Sequence, residues 1–153
     1  MTDLAYTRGD ELLSMLRSPV TPEPMVGHWH NTDVTSRGIS EVTCSVRDGD
    51  LYVAVRGAGP DGPIEWGEVP AEVYADISVT GGARSTVDPA DTHYADISAT
   101  GGGPAFLAVY DHGFMRVYLQ GRLNLGILPL AIFTEFVDGS GRSNYYTREI
   151  LVR

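Results

Sequence analysis

From residue 26 onward apolar side chains recur at every second position, a period that suits strands and not an amphipathic helix. In residues 39–47, Val42, Cys44 and Val46 share one face, while Glu41, Thr43, Ser45 and Arg47 share the other. Asp48-Gly49 follows as a tight hairpin signal, and Leu51, Val53 and Val55 alternate down the return strand. A second hairpin is expected at Asp111-His112-Gly113, between 105–110 and 114–124. A third turns through Asp138-Gly139-Ser140-Gly141, between 128–137 and 144–152. Further strands near 26–31, 69–79 and 93–99 bring the expected number to eight or nine. Joined in sequence order, they predict an all-β chain forming one antiparallel up-and-down β-barrel, because closure removes the free edges that so many strands would expose.

The segment before the barrel reads differently. Leu4, Leu12, Leu13 and Leu16 around Asp10-Glu11 predict a short N-terminal helix near residues 8–17. Pro19, Pro22 and Pro24 then favour an extended linker. The chain thus divides into 1–25, helix and proline-rich linker, and 26–153, barrel.

A formal charge of −9 makes nucleic acid and anionic membranes poor partners. Residues 1–10 have neither a basic start nor an apolar run, and no stretch reaches the roughly 18 apolar residues of a membrane span, so a cytoplasmic location is expected. Cys44 is the single cysteine, which excludes an internal disulfide and a cysteine-based zinc cluster. The glycine patterns of nucleotide-binding loops and hydrolase elbows are absent, so no cofactor is expected. Residues 74–82 recur as 94–102, two similar strands ending in glycine turns. A sharper reading pairs Asp76 with Asp96 on neighbouring strands, which would raise one carboxyl pKa.

Gly27-His28-Trp29 at the first strand resembles the Gly-x-Trp signature of lipocalins, avidins and related calycin barrels. The stretch 27–33, with Ser36-Arg37-Gly38-Ile39 and the later Trp66-Gly67, also resembles the opening of a group of small bacterial lipocalin-like domains. This chain departs from that group in having no cysteines around Trp66. The resemblance implies that Trp29 plugs one barrel end and that a basic residue of the last strand, Arg148 by position, packs across it.

His28 and His30 share a strand face and offer two nitrogens to a metal, but no third ligand is evident. With Trp29 inward both rings point out, and the reading taken is an exposed pair without metal. Residues 128–137 are apolar on both parities, which implies a covered outer face, under the N-terminal helix or a second subunit. Glu135 among Phe133, Phe136 and Val137 reads first as a strand-end glutamate, solvated or paired with Arg142 or Arg148; in apolar surroundings its pKa would rise and make it a candidate general acid or base. Arg116, Tyr118, Gln120, Arg122 and Asn124 alternate as a polar face, ordinarily solvated, or lining a lumen where Tyr118, Gln120 and Arg122 would orient a ligand.

These residues define the expected site: a lumen walled by Trp66, Tyr74, Tyr94 and Tyr110, with Arg122 as ligand contact and Glu135 or Tyr118 as the catalytic group. The expected function is binding of a small, largely apolar metabolite, with cofactor-free isomerisation or cyclisation compatible with the absent motifs. The alternative is a noncatalytic module, its barrel packed solid and its doubly apolar strand forming a homodimer contact.

Overall fold

A computed structural model describes residues 20–76 and 103–153. A 3₁₀ turn at Glu23–Met25 leads into eight strands: β1 Gly27–Asn31, β2 Ile39–Arg47, β3 Asp50–Gly57, β4 Ile64–Asp76, β5 Gly103–Asp111, β6 Met115–Arg122, β7 Leu128–Phe136 and β8 Tyr145–Val152. Each pairs antiparallel with its sequence neighbour, and β1 closes on β8 through His30↔Val152 and Asn31↔Leu151. The result is the closed up-and-down barrel that the alternation predicts. The expected helix at 8–17, the strand near 93–99, the second repeat copy with Asp96, and Tyr94 lie outside the described residues. No helix among the described residues is long and apolar enough to cross a membrane.

The turns follow their residues. Asp48 and Gly49 both have positive φ, 52° and 85°, the geometry that lets a two-residue turn follow the strand twist. Leu125 and Gly126 repeat it at 49° and 82°, making a hairpin between β6 and β7 closed by mutual Asn124–Ile127 backbone bonds of 3.0 Å. Leucine is an unusual residue for that region, so only Gly126, between the strands expected over 114–124 and 128–137, marks the turn. It also shortens the strand expected over 114–124, which ends at Arg122.

Side chains from all the strands meet inside the barrel as one contiguous core. Trp29, Tyr110, Phe106 and Leu119 are among the largest fully buried members, and Trp66, Val69 and Met115 pack against them. Small residues make this density possible: a Cβ added at Gly121 would lie inside the contact distance of the Phe106 ring.

Trp29 is fully buried, as the resemblance implies, and donates from Nε1 to the Met25 carbonyl at 2.9 Å. The basic residue across it is a correction. Arg153, not Arg148, places its guanidinium 4.4 Å from the Trp29 ring, and its Nη2 donates to the Pro24 and Val26 carbonyls at 2.6 and 3.0 Å. Leu151 is buried, so two residues on Arg153 carries the inward parity at the strand's end, while Arg148 points outward.

Parity also corrects the lumen. In β7, Leu128, Leu130, Ile132 and Thr134 are buried, while Phe133 is 41% exposed and Glu135 shares its outer face. In β6, Val117 and Leu119 point in, so Arg116, Tyr118, Gln120 and Arg122 form the solvated face. Glu135, Tyr118 and Arg122 therefore stand outside the barrel, as does Tyr74 on β4. Of the described residues expected to wall a lumen, Trp66 and Tyr110 are inside.

Candidate functional site

Alternation along the strands lays the outer wall of β4–β8 out in cross-strand rows. One row runs Val109, Tyr118, Phe133, Tyr146, each paired in register with the next. The adjacent row is Leu107, Gln120, Ala131, Arg148, and the row beyond begins Tyr74, Ala105, Arg122. Because Ala131 is small, the wall sinks between its taller neighbours. An open groove of about 310 Å³ results, floored by Pro129 and Ala131 and flanked by Tyr74, Asp76, Gln120, Arg122, Tyr146 and Arg148.

The groove is electrostatically uneven. Arg122 lies 3.5 Å from Asp76, a pair about half exposed and so weak. Arg148 donates from Nε to the Tyr146 hydroxyl at 2.9 Å and sits 5.4 Å from that ring; it makes no ion pair with a described residue. Partial burial raises the Tyr74 hydroxyl pKa, with Asp76 adding to the shift and Arg122 opposing it. The tyrosine therefore stays a neutral donor at physiological pH. The groove thus sets two arginines, one of them paired with Asp76, beside aromatic and apolar surface.

One row away, the Tyr118 hydroxyl donates to Glu135 Oε2 at 3.1 Å, and its ring tilts against Phe133 at 6.0 Å. These two proposed catalytic residues are thus brought together, but on the outer wall, beside the groove instead of inside the lumen. Trp66 and Tyr110 form a separate group with His112: Trp66 meets Tyr110 edge-on at 5.6 Å and His112 at 5.3 Å, while Tyr110 and His112 stack at 6.1 Å. The Tyr110 hydroxyl donates to the Val53 carbonyl at 2.6 Å, and burial pushes its pKa up. This cluster fills the barrel end opposite the Trp29 plug. His112 Nε2 is buried there without a partner among the described residues.

The sequence reading found Tyr74 and Arg122 but missed Pro129, Ala131, Tyr146 and Arg148, the other side of the groove. The signal was the outward parity of Tyr146, Arg148 and Ile150, which becomes legible once Leu151 is taken as inward. Also missed was Glu149, on the inner face, whose carboxylate accepts from Ser36 Oγ at 2.5 Å, Asn31 Nδ2 at 2.8 Å and the Ile39 amide at 3.0 Å. These bonds tie the 32–38 loop to β8. A second outer cleft, about 240 Å³, lies over β1–β4 and is lined by His28, Glu41, Thr43, Ala54, Val55, Arg56 and Glu65.

Comparison of the chain with protein-family models, curated proteins and solved structures found no match.

Proposed function

We propose that this protein is a small-molecule-binding barrel of lipocalin-like type whose site is the outer-wall groove between Tyr74 and Arg148. The observation that carries the reading is the contrast between a lumen packed with buried side chains and a groove of about 310 Å³ on the wall outside it. That volume is at the lower end of ordinary ligand sites, which suits a compact molecule. Pro129 and Ala131 offer an apolar floor, two tyrosines offer ring faces, and Arg122 and Arg148 offer cationic donors. The matching ligand is a small molecule with an apolar or aromatic body and one anionic group. The barrel, the Gly27-x-Trp29 plug and the arginine over it support the lipocalin-like assignment.

Calorimetric titration with 2-naphthoate and with its neutral amide tests this reading. Saturable one-to-one binding of the acid, weakened about tenfold in Arg148→Met and equally weakened when the carboxylate becomes an amide, supports it. Equal binding of both probes to wild type and Arg148→Met contradicts it.

Two observations favour a second reading, a self-associating module: the lumen is packed with buried side chains, as that alternative expects, and apolar side chains lie exposed on the outer wall. Val109, Phe133 and Tyr146 in the aromatic row are 43%, 41% and 51% exposed, and with Tyr118 paired between Val109 and Phe133 the row carries apolar surface across four strands. Such contiguous exposure marks contact surfaces. Sedimentation of wild type and Phe133→Glu decides it: a dimer lost in the variant favours the module, and a monomer in both removes it.

A further inference from the structure

His28, His30 and Glu41 converge on the outer face of β1 and β2, and we propose that they form a binding site for a divalent transition metal, zinc by chemistry. With Trp29 turned into the core, strand alternation sends both histidines outward, and their rings meet at 4.6 Å between centroids. The third donor comes from the neighbouring strand, where Glu41 is paired in register with His30. His28 Nε2 lies 3.6 Å from Glu41 Oε2, and His30 Nδ1 lies 3.6 Å from Glu41 Oε1. One ligand atom from each residue falls within 4.8 Å of the others.

Zinc bonds of about 2.0–2.2 Å at tetrahedral angles put donor atoms about 3.3 Å apart. Each histidine nitrogen is within a few tenths of that value from one of the two carboxylate oxygens, and side-chain rotation brings both nitrogens onto a single oxygen. His28 and His30 side chains are 50% and 51% exposed, so they have room to rotate. Their orientation is partly set in advance: His28 Nδ1 is bonded to Thr43 Oγ1 at 2.7 Å, which with Nδ1 as donor leaves the Nε2 lone pair facing the carboxylate. Such an outer partner holds the ring in place, and by accepting from Nδ1–H it would set the tautomer that a metal requires. Arg56 Nη1, 3.4 Å from Glu41 Oε2, anchors the carboxylate but also places a positive charge near the ion. Three protein ligands leave a fourth position to water, on the side of the cleft lined by Thr43, Arg56 and Glu65.

The test is calorimetric titration of the whole chain with ZnCl₂, with Co²⁺ absorption as a reporter of coordination. Wild type is expected to take one Zn²⁺ per chain and to give the intense ligand-field bands of four-coordinate Co²⁺. His30→Ala and Glu41→Gln should each lose at least tenfold in affinity, and Thr43→Val several-fold. Circular dichroism of each variant confirms the fold. Absence of saturable binding in wild type overturns the proposal, as does Glu41→Gln binding like wild type, which would leave a two-histidine surface contact.

Discussion

The Arg153 guanidinium lies 4.4 Å over the Trp29 ring and bonds two carbonyls, Pro24 and Val26, on the segment entering β1. One side chain therefore covers the plug and fastens the start of the chain's first strand to its last. A cation over an indole contributes about 0.5–2 kcal/mol, and each net hydrogen bond about 0.5–1.5 kcal/mol. Arg153→Ala is expected to lower stability by about 1–2 kcal/mol in urea unfolding, while Arg148→Ala, on the outer wall, changes it little. Equal losses would show that Arg153 is not the plug's partner.

Glu149 makes a comparable tie at the opposite end. Its three acceptor bonds come from Ser36, Asn31 and the Ile39 amide, partly buried groups that would lose their partner in Glu149→Ala. Leaving such donors unsatisfied costs about 1–3 kcal/mol. Hydrogen exchange should show the Ile39 amide losing protection in this variant, with the β6–β7 amides unchanged. Retained protection at Ile39 would contradict the tie.

Packing of the lumen has its own test. Gly121 faces the Phe106 ring, and a methyl group there has no space unless the ring moves. Gly121→Ala is expected to lose about 1–3 kcal/mol, the range for overpacked cores. A stabilised or unchanged variant would mean that the lumen holds empty volume beside Phe106.

Cys44 supplies a pH dependence with a definite sign. Burial pushes its thiol up from about 9 to about 12, with Arg153 opposing weakly. Below about 9 the thiol is protonated in both folded and unfolded chains. As pH rises from there towards 12, the unfolded chain releases the proton first, so stability falls. Tyr110, also raised by burial, adds a loss of the same sign above about 10. Cys44→Ala should flatten the stability profile between about pH 9 and 10, and native Cys44 should react with thiol reagents only as fast as the barrel opens. Rapid labelling under native conditions would contradict its burial.

Much of this architecture was legible in the residues. Alternation around Val42, Cys44 and Val46, with Asp48-Gly49 after it, specifies a strand pair because one face is buried and the turn requires positive φ. Where both faces are apolar that logic fails. Leu130 and Phe133 in β7 are equally hydrophobic, and the cross-strand register decides that Leu130 enters the core. The site moved outward with that choice, taking Glu135 with it. In the β6–β7 turn Gly126 is the local signature, and Leu125 beside it does not announce a left-handed backbone. His28 and His30 were visible as a pair, but their third neighbour belongs to a register that spacing along one strand does not contain.

The outer-wall site is tested most directly by filling the groove. Ala131 lies on its floor, and its side chain points away from the core, so Ala131→Trp occupies the groove without disturbing the packing inside. Titration of this variant with 2-naphthoate should show binding abolished, with the circular dichroism spectrum and melting temperature of wild type. Wild-type affinity in Ala131→Trp would place the ligand elsewhere and contradict the account.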